Sequence, residues 1–192
     1  MELSQNDIKN QIEELKKQLP KKERKPKKLP VAITEEEFTK LIKHTRKKHH
    51  KVAFLLGFGS GLRISEILKL EQRNVNLKDK TIFVEQGKGG KDRIVPLAKG
   101  FNESMLKLLP LKVGVRALEI AFKRNCKNAG LLETKPSLHF HSLRHGFATQ
   151  CVNNGIPIHH VRNLMGHSNI STTNVYLEMN PKDAIKSYMD KF

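Results

Sequence analysis

Three features lie close together between positions 136 and 181: a His-x-x-Arg-His run holding His141 and Arg144, His167 between Gly166 and Ser168, and Tyr176, one of only two tyrosines in the chain. If His141 and Arg144 open a helix, their three-residue spacing puts both side chains on one face, about one turn apart, where they can touch a single anion together. Ser168, ahead of Ile170, Thr172 and Val175, reads as a helix N-cap and sets Tyr176 two turns into the following helix. A phenol with a free pKa near 10 becomes a nucleophile at neutral pH only beside positive groups or a base. The neighbouring histidines and arginine are groups of that kind. Taken singly, however, HxxR is nearly uninformative and a helical tyrosine is ordinarily a packing residue, so the rest of the chain must supply the specificity.

Three further cations stand upstream. Arg63 follows Gly61 at a glycine turn and begins a helix, where its guanidinium adds to the positive end of the helix dipole. A plain structural pairing of Arg63 with Glu66, three residues on, is the simpler local reading. Lys88 and Lys91 lie in GKGGKD, between TIFVEQ (81–86) and RIVPL (93–97), which alternate and read as the strands of a hairpin. The loop is not a nucleotide-cradling one, because G-x-x-x-x-G-K-[ST] is absent and a strand rather than a helix follows.

The surplus of 36 Lys and Arg over 19 Asp and Glu leaves a formal charge of +17, which points to a polyanionic partner such as nucleic acid. With no tryptophan and 6% aromatic residues, stacking of bases on an aromatic platform is not expected. No apolar run has the roughly eighteen residues needed to span a bilayer and no signal-peptide core is present, so no membrane association is expected and an intracellular location is expected. Cys126 and Cys151 lack metal-ligand or redox spacing and read as buried, reduced thiols. The histidines have no acidic or cysteine partner at ligand spacing and many cationic neighbours, so no metal and no cofactor is expected.

The elements that must position these residues can be read in order. Residues 1–30 hold an amphipathic helix (Ile8, Ile12, Leu15, Leu19) and the basic linker PKKERKPKKLP. Thr34 with Glu37 is a capping box that opens a main domain assigned to 31–181. Within it VAFLLGFGSGLRISEILKL reads as a buried helix, a turn and a second helix with Ile64, Ile67 and Leu68 inward. Residues 101–132 read as helical in two runs, one holding Met105, Leu108 and Leu109 and the next Val115, Leu118, Ile120, Ala121 and Phe122, with Gly130 closing the second. Asn154-Gly155 and Pro157 divide the last part of the domain into short helices, the middle one with Ile158, Val161 and Leu164 on its apolar face. Residues 182–192 read as a tail helix, with Tyr188 a packing residue. The fold class is mainly α with a small antiparallel β hairpin or sheet, an α+β arrangement.

The order GLRISEI, then GKGGKDRIVPL, then HSLRHGFAT, then MGHSNISTTNVY resembles the catalytic domain of the tyrosine recombinases, the phage integrase and Xer family, over about residues 31–181. The resemblance implies a site-specific recombinase that cleaves and rejoins DNA through a 3′-phosphotyrosine, without metal or ATP. By that resemblance the catalytic set is Arg63, Lys88 (or Lys91 in the same loop), His141, Arg144, His167 and Tyr176, with Glu66 bracing Arg63. It further implies double-stranded DNA as partner and self-association into dimers or tetramers on it, with the tail contacting a neighbouring protomer. Two other functions fit the same residues: a type IB topoisomerase-like relaxase, and an inactive DNA-binding relative. Full-length members carry a further helical domain ahead of the catalytic one; here only residues 1–30 precede it, and the region between Leu97 and Val115 is abbreviated.

Overall fold

The computed structural model describes residues 5–18, 30–85 and 92–166. Its elements in chain order are α1 (Gln5–Gln18), α2 (Glu35–His44), α3 (Lys48–Gly59), α4 (Ile64–Lys69), a 3₁₀ turn (Gln72–Asn74), β1 (Val75–Asn76), β2 (Thr81–Val84), β3 (Arg93–Pro96), α5 (Glu103–Leu106), α6 (Val115–Asn128), α7 (Leu131–Thr134), α8 (His141–Asn153) and α9 (Ile158–Met165). Helices dominate, with one small antiparallel sheet, as the patterning predicts. The expected helix around Tyr176, the tail helix and the loop holding Lys88 and Lys91 fall outside the described residues.

The capping box at Thr34 forms in full. The Thr34 hydroxyl accepts the Glu37 backbone N–H at 3.2 Å, and the Glu37 carboxylate accepts the Thr34 N–H at 2.8 Å. Three glutamates in the first turn of α2 complement the positive end of its dipole, and Phe38 and Leu41 bury its inner face.

The centre of the molecule is α3. Val52, Ala53, Phe54, Leu56, Gly57 and Phe58 are all buried, because this helix is apolar around much of its circumference and is packed on several sides by α8, α6 and α4. Phe54 meets Phe122 of α6 edge-on at 5.6 Å between centroids, and Phe140, just ahead of α8, at 5.9 Å. Such tilted pairs add specific quadrupolar attraction to the area they bury. A smaller apolar cluster joins α8 to α9 through Phe147, Ala148, Cys151, Val161 and Met165. Burial pushes the thiols up, Cys126 to about 12 and Cys151 to about 11, so both stay protonated at neutral pH.

The sheet has the order β1-β2-β3, antiparallel throughout, with Val75 opposite Ile82 and Phe83 opposite Ile94. Alternation sends Ile82, Val84 and Val95 into the core and leaves Phe83 and Ile94 exposed as a cross-strand pair. The hairpin was legible in the alternation. The third strand, β1, is two residues long, too short for any period to register.

One stretch departs from expectation. Of the two helical runs read across 101–132, the second forms as α6 from Val115, but the first yields only the single turn of α5 and leaves Leu108 and Leu109 outside it. Pro110 breaks the run, since it lacks a backbone donor and forces the preceding residue away from helical geometry. Leu109 and Leu111 nonetheless keep their apolar contacts and are buried, which is why the periodicity looked helical.

Candidate active site

The site is assembled where the start of α4, the end of α9, the first turn of α8 and the base of the β2–β3 hairpin converge. Gly61 makes the approach possible. It adopts φ of 66°, and a Cβ there would stand 2.4 Å from the ring of Phe147 on α8. Only glycine allows both the left-handed turn and that closeness.

Arg63 follows and caps α4. The Glu66 carboxylate accepts its backbone N–H at 2.8 Å and its Nη1 at 2.8 Å, so the local pairing suggested by spacing is present. Its Nη2 donates to the Gly166 carbonyl at 3.2 Å. Arg63 also lines an open cavity of about 490 Å³ whose other walls include Ser65, Lys69, Asn74, Phe83 and Glu85. Arg63 is thus paired with Glu66 and Gly166 while also bordering open space.

Arg144 projects from the first turn of α8 and is 1% exposed. Its Nη1 donates to the Gly61 carbonyl at 2.6 Å and lies 3.8 Å from the Glu66 carboxylate, while Nη2 donates to the Met165 carbonyl. Arg144 and Arg63, from opposite halves of the chain, therefore share one carboxylate. Burial alone would raise the Glu66 pKa, but hydrogen bonds and charge from Arg93 and Arg63 overcome it and hold the carboxyl down to about 2. Glu66 is thus ionised at any working pH.

His141 opens α8 at the rim of this cluster, its ring 5.0 Å from that of His145. Desolvation, then the positive charges of Arg144, His139 and Arg63, outweigh the pull of Glu66 and hold His141 down to about 4. His141 is exposed at the rim, and there the charges of Arg144, His139 and Arg63 add to the effect of desolvation. A neutral imidazole beside two guanidiniums can accept a proton at neutral pH and donate a hydrogen bond to an anion.

Of the six residues expected at the site, the fold brings together Arg63, His141 and Arg144. Lys88, His167 and Tyr176 lie outside the described residues, although position 166, one residue before His167, is bonded to Arg63. Among the described residues there is no group of three or more His, Cys, Asp or Glu that could hold a metal ion, and no helix is long and apolar enough to cross a membrane.

Arg93, which spacing did not single out, belongs to the same cluster. It is the first residue of β3, and alternation places it on the inward face with Val95. That inward register of a charged residue is the signal that could have found it, since a buried arginine demands a partner.

The model of the phage integrase family matches residues 32–183 of this chain. The tyrosine recombinase XerA of Pyrococcus horikoshii is 31% identical over 175 residues, covering 82% of this chain and 60% of that protein. The chain therefore spans about 60% of the length of this relative. Among solved structures, the catalytic domain of bacteriophage HP1 integrase is similar with a TM-score of 0.59 and 26% identity, covering 82% of this chain and 95% of that one. A XerH site-specific recombinase bound to palindromic difH substrate, in a post-cleavage complex, has a TM-score of 0.69 and 24% identity, covering 84% and 53%; at that identity the likeness is one of fold.

Proposed function

The chain belongs to the phage integrase family, and from that premise we propose that it cleaves and rejoins DNA strands by transesterification at Tyr176. The observation that carries the reading is the convergence of Arg63 and Arg144 on Glu66 with neutral His141 beside them.

In this reading the Tyr176 oxygen attacks a backbone phosphorus, forming a tyrosyl–phosphate bond as the bond to the 5′ oxygen breaks. Charge grows on the non-bridging oxygens in the transition state. Arg63 and Arg144 are suited to hold it, because guanidinium forks match phosphate geometry and are already fixed by protein partners before substrate arrives. His141 accepts the phenolic proton and His167 donates to the phosphate. Lys88, or Lys91 beside it in the loop, delivers a proton to the departing 5′ oxygen. Reversal with a different 5′ hydroxyl joins new strands, and the phosphotyrosine conserves the bond, so neither ATP nor metal takes part. Double-stranded DNA is the partner, consistent with the formal charge of +17, and the protein assembles as dimers or tetramers upon it.

A nicked duplex that loses a short 5′ fragment on cleavage should trap a covalent protein–DNA adduct stable to denaturing gel electrophoresis. Tyr176→Phe removes only the attacking oxygen and should abolish the adduct. An adduct of unchanged yield in that variant would sink the assignment.

A further inference from the structure

Three consecutive carbonyls at the end of α9 are each taken by a different arginine. Leu164 O accepts Arg93 Nε at 2.9 Å, Met165 O accepts Arg144 Nη2, and Gly166 O accepts Arg63 Nη2 at 3.2 Å. The carbonyls left unpaired at a helix C-terminus carry its partial negative charge, so three guanidiniums there satisfy both the hydrogen bonds and the dipole. Of the three, Arg93 is placed differently. Its Nε is on Leu164, while Nη1 and Nη2 grip Glu66 Oε1 and Oε2 at 3.0 and 2.8 Å, a bidentate fork. Its side chain is 9% exposed against 16% for Arg63. Every donor nitrogen of Arg93 is thereby committed to protein.

The fork joins three parts of the chain. Arg93 stands at the base of the hairpin, directly after the segment that carries Lys88, and β3 packs on α9. Through Glu66 it reaches Arg63, and through Leu164 it reaches the turn that leads into His167. Gly166, at φ of 59°, completes the fit, since a Cβ there would press to 3.2 Å on Arg93 Cδ, Nε and Nη1.

We propose that Arg93 is a positioning residue for strand cleavage, fixing the Arg63 guanidinium through Glu66 and the end of α9 through Leu164. This rests on the strand-cleavage reading above. Lysine cannot replace it, because a single ammonium reaches the carboxylate or the carbonyl but does not fork across both carboxylate oxygens while holding the third partner.

The test uses the full chain carrying Arg93→Lys, Glu66→Gln or both, with three measurements: DNA affinity, single-turnover adduct formation, and backbone amide exchange over 161–166. Arg93→Lys should keep DNA affinity within about threefold and slow adduct formation by roughly ten- to a hundredfold, the scale of a small misplacement of a reacting group. Exchange at the end of α9 should accelerate while the core helix α3 stays protected. In the Glu66→Gln background the lysine change should slow the reaction by less than it does alone, because the shared carboxylate is already gone and only the Leu164 tether remains to lose. Wild-type rates in Arg93→Lys, losses that multiply independently, or a drop in affinity that tracks a general loss of protection would each overturn the proposal. If the unaltered chain forms no adduct, the strand-cleavage reading fails on its own. Unchanged exchange in Arg93→Lys then refutes the tether, and accelerated exchange upholds it as the device that holds α9.

Discussion

At the scale of single residues, the chemistry gathers on one carboxylate. Glu66 is 8% exposed and faces three guanidiniums, and its pKa near 2 lies below its ordinary 4.5. The unfolded chain therefore binds a proton first, and the stability Glu66 contributes is present above pH 4.5 and lost as the pH falls toward 2. His141 acts in the same direction over a higher window, since its value near 4 lies below the unfolded 6.5 and its contribution fades as the pH falls between them. Melting temperature should hold steady from pH 8 to about 6.5 and then decline in two stages. Glu66→Gln should lose the lower stage, on a domain already weakened by roughly 3 kcal/mol through its uncompensated arginines. Melting curves across pH for the two proteins decide this, and a parallel decline in both would contradict it. Arg63, His141 and Arg144 were readable because the order of their motifs along the chain resembles that of a known family, while spacing and the glycine turn alone left each of them ambiguous. Arg93 was not, because its partners Glu66 and Leu164 lie 27 and 71 positions away and no local pattern encodes a contact of that range.

At the scale of elements, the site depends on how closely α4 and α8 approach. Gly61 supplies that closeness, and its carbonyl receives Arg144. Gly61→Ala meets both a left-handed backbone that side chains resist and a ring 2.4 Å away that cannot yield without moving α8. A loss of about 2–4 kcal/mol in chemical denaturation is expected, together with slower adduct formation as Arg144 shifts. Gly100→Ala is the control: it also has positive φ but meets nothing within 4 Å, so it should cost less stability and leave adduct formation unchanged. The helices α2, α4, α6 and α9 were legible from a cap, a turn or the apolar pattern, α3 from its unbroken apolar run, and α8 only as a supposition from the spacing of His141 and Arg144. The segment after α5 was not, because buried leucines around Pro110 imitate a helical stripe while the proline forbids the helix.

At the scale of the whole molecule, charge and connectivity set the behaviour. With +17 spread over 192 residues, DNA affinity should fall steeply with salt, by roughly 10³ to 10⁵ between 50 and 200 mM if six to ten phosphates are neutralised. A binding titration in which log affinity declines with log salt by less than about two would rule out so extensive a backbone contact. The division of the site between two distant halves of the chain was visible in motif order alone. The hub that unites them was not, since it exists only once α4, β3, α8 and α9 have packed. That hub also bears on how such a sequence drifts under selection. Arg63, Arg93 and Arg144 all face the one Glu66 carboxylate, so its loss leaves three guanidiniums, already withdrawn from water, without their counter-charge, whereas loss of one arginine leaves Glu66 still paired. A mutation at Glu66 is therefore felt by three arginines from three elements at once, while a mutation at any one arginine is felt mainly by itself and Glu66, so selection bears on this one codon more heavily than on its partners.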